Sequence, residues 1–121
     1  MQYMILIYGE EKNFAQLAGN PEARKKIYAA YTQYSKDMRD AGIIRAGSEL
    51  KPSSTATTVR VKNGKTVTTD GPFAETKEQL GGYYIIDVPN LDEAVKWAAR
   101  CPSAEHGSIE VRPVGVMPAA S

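Results

Sequence analysis

The segment Asp70-Gly71-Pro72-Phe73-Ala74-Glu75-Thr76-Lys77-Glu78 gathers three carboxylates, one ammonium and an aromatic ring around a single backbone corner. Gly71 tolerates backbone angles closed to other residues and Pro72 fixes its own φ, so the chain must bend directly after Asp70. Pro72 also keeps Gly71 out of the right-handed helical region. A carboxylate at such a corner, if partly buried, acquires a raised pKa and can move a proton. The same Asp can instead bond its own turn backbone; the residue types alone leave both readings open. Asp70 is therefore the first catalytic candidate. Glu75 and Glu78 join it because, three residues apart, they would share one face of a helical turn, where paired acids can do acid/base work. An exposed turn ending at Gly81 is the alternative for that pair.

Candidate binding groups lie elsewhere. Arg112 on the last expected strand and Arg45 on the second alternate with apolar neighbours. Either could clamp a carboxylate or phosphate bidentately, or serve as one half of a surface ion pair. Tyr31 and Tyr84 belong to a generous supply of tyrosines that can line an apolar pocket and offer hydroxyls, or simply pack. His106, the sole histidine, falls in the loop Ser103-Ala104-Glu105-His106-Gly107-Ser108 and reads as a surface residue. Cys101, the sole cysteine, precludes an internal disulfide and reads as a small buried hydrophobe rather than a nucleophile. The chain has no Cys/His metal spacing, no Gly-rich phosphate loop and no Gly-x-Ser-x-Gly elbow. Zinc sites, nucleotide hydrolysis and α/β-hydrolase chemistry are disfavoured, and no metal or cofactor is assigned.

The elements that must position these groups follow from periodicity. Residues 3–8 put Tyr3, Ile5 and Ile7 on one face and Met4, Leu6 and Tyr8 on the other, as in a central strand covered on both sides. Residues 10–19 read as a loop or short turn. Asn20 caps a helix over 21–41, with Pro21 in its first position, an apolar stripe of Ile27, Tyr31, Tyr34 and Met38, and Gly42 as its stop. A second strand covers 43–50. Asn63-Gly64 joins strands over 57–62 and 65–69 into a hairpin with one wet face, suited to a sheet edge. Another doubly apolar strand covers 82–88. Asn90 and Glu93 form a capping box for a second helix, whose inward stripe is Leu91, Ala94, Val95 and Ala98, and 109–114 close the chain.

This order, β-α-β-hairpin-β-α-β, is a ferredoxin-like α+β pattern: an antiparallel sheet with two helices on one face. Two helices leave the second face bare, although the central strands are apolar there too. A second copy of the same sheet is its simplest cover, which gives a homodimeric α+β barrel.

At 121 residues the chain makes one domain, over 1–115, followed by a short tail, 116–121. A formal net charge of +1 gives no reason to expect direct nucleic-acid binding, and the cluster Arg24-Lys25-Lys26 reads as a solvated helix face. The opening residues carry no basic leader and too short an apolar run to span a bilayer, so the expectation is a cytoplasmic protein without membrane partners.

The run Thr-Thr-Asp-Gly-Pro-Phe-Ala-Glu-Thr-Lys-Glu-Gln-Leu-Gly-Gly-Tyr-Tyr, residues 68–84, resembles the signature of the DGPF branch of the YCII-related proteins. The opening residues 1–11, the middle 40–61 and the close 92–114 resemble the same family, so the likeness covers nearly the whole chain. It implies a ferredoxin-like domain that dimerises through its sheet. Some YCII-like members have a suggested His–Asp active-site pair with the His on the first helix. That helix carries no His here, and Tyr31 and Tyr34 occupy its inward stripe, so only Asp70 is carried over by direct motif match. DGPF members are described near genes for extracytoplasmic-function sigma factors, which implies a transcription-related partner. Two functional readings follow: a homodimeric protein that performs cofactor-independent acid/base chemistry on a small molecule at the Asp70 corner, or a non-catalytic ligand-binding or regulatory module.

Overall fold

Alternation along the first strand sets the architecture. In the computed structural model, which describes residues 1–117, Tyr3, Ile5 and Ile7 of β1 (Gln2–Gly9) are buried, whereas Met4, Leu6 and Tyr8 are half-buried on the opposite face. Strand β1 pairs antiparallel with both β5 (Gln79–Asp87) and β6 (Ser108–Pro113), and β2 (Ile44–Glu49) pairs antiparallel with β5. The sheet order β2-β5-β1-β6 is that of a ferredoxin-like α+β domain. The helices α1 (Glu11–Ala18), α2 (Pro21–Asp40) and α3 (Leu91–Ala99) complete it.

The core lies between the sheet and α2 and α3. Tyr34 and Met38 of α2 and Ala94 and Ala98 of α3 pack with Tyr3, Ile5, Ile7, Ile86, Val88 and Cys101. Asn20 Oδ1 accepts from the Ala23 N–H at 3.2 Å, which satisfies an N-terminal donor of α2. Its other end closes as a Schellman motif: Gly42, at φ +73°, donates to the Arg39 carbonyl and Ile43 to that of Met38. Asn90 caps α3 through the Glu93 N–H at 3.0 Å, but the Glu93 side chain turns to Lys96 instead of completing a capping box. The inward stripe of α3 also differs from expectation. Leu91 and Val95 are about half exposed, while Trp97 joins Ala94 and Ala98 against the core.

Two further expectations are corrected. The stretch read as a loop after β1 contains α1, which has no side-chain N-cap bond to announce it. Phe14 holds it in place: its ring lies against Gly9 and Gly81, at positions where a Cβ on either glycine would stand 2.6 and 3.3 Å from the ring. Gly81 is the extra residue of a bulge in β5, since Ile7 pairs with Gly82 and Tyr8 with Leu80. The hairpin of β3 (Thr57–Lys62) and β4 (Lys65–Asp70) does not join an edge of the main sheet. It is a separate two-stranded sheet, with Asn63 and Gly64 at φ +51° and +75° as a type I′ turn requires. The rest of the expected tail, from residue 118 onward, lies outside the described residues.

Candidate functional site

The corner that ends β4 is tied by its neighbours rather than by Asp70. Gly71 stands at φ +97°, where a Cβ would strain the backbone, and its N–H donates to the Ala56 carbonyl at 2.7 Å. The Thr58 hydroxyl donates to the Gly71 carbonyl at 2.8 Å. Asp70 itself is exposed, and among the described residues its carboxylate accepts no hydrogen bond. The turn is thus built without using the Asp70 side chain as its internal cap.

Past Pro72 the chain forms no helical turn, so Glu75 and Glu78 do not share a face. Local side-chain bonds compete with the helix: the Thr76 hydroxyl donates to the Glu78 carbonyl and Gln79 Nε2 to the Thr76 carbonyl. Two adjoining clefts result. The first, about 620 Å³, is lined by Asp70, Glu75 and Gln79 together with Glu10, Glu11, Lys12 and Lys77. The second, about 650 Å³, holds Glu78 with Tyr8, Ser108 and Glu110 on the open face of the sheet. Glu10, Thr76 and Lys77 line both and form the wall between them.

Glu10 and Glu11 were not foreseen. Glu10 lies 3.2 Å from the Lys12 ammonium and 3.6 Å from that of Lys77. The hydrogen bond from Lys12 holds its carboxyl below the usual value, with both lysine charges adding and burial opposing. Glu11 accepts from the Ser53 N–H at 2.7 Å, and Ser53 holds this carboxyl down as well. The available signal was their place at the end of a central strand, where side chains leave the sheet beside connecting loops. Glu78 accepts from the Ser108 hydroxyl at 2.7 Å, so it is anchored to β6.

The remaining candidates do not converge on Asp70. Arg112 is exposed and paired with Glu110 on β6. Arg45 donates to the Gly42 carbonyl at 3.0 Å and lies 3.6 Å from Asp87, which pins the start of β2. Tyr31 and Tyr84 belong to the interior instead. The Tyr31 hydroxyl bonds with Ser103 Oγ at 2.5 Å, that of Tyr84 with Ser35 Oγ at 3.0 Å, and the Tyr84 ring meets Tyr34 edge-on at 5.5 Å. Burial pushes both phenols up, against the opposing effect of their hydroxyl partners. Cys101 Sγ lies 3.6 Å from the Tyr31 hydroxyl and its thiol is likewise pushed up by burial. His106 is exposed in the turn before β6.

Among the described residues, no three His, Cys, Asp or Glu side chains converge as a metal site, and no helix is long and apolar enough to cross a membrane. What the fold defines is a ferredoxin-like α+β domain with two polar clefts at one end of its sheet. The YCII-related domain model matches residues 1–118, and the chain belongs to that family. It is 36% identical to an uncharacterized protein of Rhizobium meliloti (strain 1021) over 118 residues, 96% of this chain and 94% of the relative. Among solved structures it is similar to 5-chloro-2-hydroxyhydroquinone dehydrochlorinase (TftG) from Burkholderia phenoliruptrix AC1100, in complex with 2,5-dihydroxybenzoquinone. That likeness has a TM-score of 0.54 at 15% identity and covers 95% of this chain and 94% of the other. At this identity it shows the shared fold.

Proposed function

We propose that the protein binds a small polar molecule in the cleft of Asp70 and Glu75, as a homodimer joined through the open sheet face, and that Asp70 serves there as an acid/base group. The observation that carries this reading is the Asp70 carboxylate: it is held at a tied corner, lines a cleft, and is not consumed by its own turn. Lys77 and Lys12 line the same cleft and supply positive charge for an acidic oxygen of the ligand. Glu75 stands as a second carboxylate in the cleft, and Glu78 serves the neighbouring one. The tyrosines and arginines first considered for binding act in this reading as packing and pinning groups. Dimerisation draws support from Met4, Leu6, Tyr83 and Ile85, an apolar row that the chain's own helices do not cover.

The test begins with 2,5-dihydroxybenzoquinone as a probe, because a protein of the same fold is solved with it. Chemical-shift perturbation centred on residues 70–79 is expected, weakened several-fold by Asp70→Asn. Perturbation elsewhere, or binding indifferent to Asp70→Asn, would sink the assignment.

A second reading, binding without turnover, is favoured by the exposure of both Asp70 and Glu75, since an open cleft does not exclude water from a reacting centre. In that form the protein would report a ligand to a transcription-related partner. Sustained product formation by the purified protein would eliminate it.

A further inference from the structure

The β3–β4 hairpin is uncovered in the single chain. Of its strand residues only Thr58 is half-buried; the others are exposed, Val59 by 58% and Val61 by 69%. A lone two-stranded hairpin is marginal in water, so a stable arm of this kind needs a second surface. With strands of six residues it reaches about 20 Å from its base. Its register sorts the side chains into two sides. Val59 and Val61 lie opposite Thr68 and Thr66, while on the reverse Arg60 faces Val67 and Lys62 faces Lys65. Like charges directly opposite one another destabilise a hairpin. Arg60, Lys62 and Lys65 nevertheless share this side, and among the described residues none of them forms an ion pair.

A surface whose charged lining is mostly carboxylate exists on the same molecule. The cleft at the rim of the open sheet face carries Glu10, Glu78 and Glu110 against Lys77. We infer that the hairpin is an exchanged arm: in a two-fold dimer each copy lays the side bearing Arg60, Lys62 and Lys65 across the Glu78–Glu110 cleft of the other. This inference rests on the dimer proposed above and adds which segment reaches across. Charge complementarity selects a second copy as the occupant, and the cleft adjoins the apolar face through which the copies meet. The arm then adds cations beside the cleft's own Lys77, where Glu10 is paired with Lys12 and Lys77 and Glu110 with Arg112 in the single chain.

Charge reversal on each side, followed by mixing, tests this by sedimentation equilibrium. Wild-type protein is expected to be a dimer. Arg60→Glu with Lys62→Glu should weaken it by at least about tenfold, as should Glu78→Lys with Glu110→Lys. An equimolar mixture of the two variants should recover the wild-type affinity, because every arm then meets a cleft of opposite charge. Should the Glu78 variant fail to fold, Glu110→Lys alone takes its place. A dimer unaffected by Arg60→Glu with Lys62→Glu, or no recovery on mixing, overturns the arm and leaves the dimer standing. A monomeric wild type overturns the dimer itself.

Discussion

The Glu10 carboxylate lies 3.6 Å from the Lys77 ammonium, so the end of β1 is linked to the loop behind the Gly71–Pro72 corner. With Lys12 on its other side, the same carboxylate forms the wall between the two clefts. Exposed ion pairs contribute little to global stability. The function of this pair is local: it sets how the segment 72–78 stands over β1.

Glu10→Gln should therefore leave Tm nearly unchanged while amide hydrogen exchange in residues 75–78 speeds up several-fold at pH 7. The carboxyl is held below its ordinary value of 4.5, first by Lys12 and further by Lys77. Its contribution is present above pH 4.5 and fades as pH falls through the depressed value. Wild-type exchange, corrected for the intrinsic rate, should then approach that of the variant. Unchanged exchange at pH 7 would show that Glu10 does not hold the loop.

The buried phenols set an alkaline limit. Burial raises Tyr31, Tyr34 and Tyr84 above the ordinary value of 10.0, so these groups keep their protons in the fold after the unfolded chain has begun to lose them. Stability is complete below pH 10 and falls as pH rises beyond it. Denaturation midpoints measured from pH 8 to 11.5 should show this decline, and Tyr31→Phe should flatten it. An equal slope in the variant would contradict the assignment.

Tyr34 donates to the Trp97 carbonyl at 2.7 Å and is 3% exposed. Tyr34→Phe leaves that carbonyl without its side-chain donor and should cost about 1–2 kcal/mol in urea unfolding. A change within experimental error would mean that water replaces the hydroxyl.

Gly107 passes directly over β1: a Cβ there would stand 2.1 Å from the Tyr8 carbonyl oxygen. Because the obstacle is backbone, it cannot rotate away. Gly107→Ala should destabilise by about 1–3 kcal/mol and shift the amide resonances of Tyr8 and Ser108. Gly115→Ala, which meets nothing within 4 Å, provides the neutral control.

Cys101 is 3% exposed and its thiol is pushed up by burial. Maleimide labelling at pH 7 should be slow in the native protein and rapid in 6 M guanidinium. Prompt native labelling would show that the Tyr31–Ser103–Cys101 cluster opens.

Local signals carried much of the fold. The alternation in residues 3–8 sorted the side chains of β1 into its two faces, because strand side chains have a period of two and register cannot slip without exchanging them; packing decided which face the helices bury. Asn20, Gly42, Asn63-Gly64 and Asn90 marked ends and turns through bonds made within a few residues. Gly71 was legible as a corner for the same reason: its positive φ is a property of the residue itself.

Long-range packing decided the rest. Helix α1 lacks a capping side chain and exists where Phe14 finds Gly9 and Gly81, the latter brought there by a bulge 67 residues further along the chain. Glu75 and Glu78 face different clefts because Thr76 and Gln79 bond the intervening backbone and Ser108 of β6 draws Glu78 away. Tyr31 and Tyr84 find hydroxyl partners on other elements. Glu10 becomes a cleft wall through Lys77, a residue remote in sequence. Thus the sequence by itself determined the order of the strands and of helices α2 and α3, the turns and the charged corner at Asp70, since each depends on backbone preference and neighbouring side chains. The tertiary structure alone decided which charged groups share a cleft with Asp70, since that depends on distances between segments far apart along the chain.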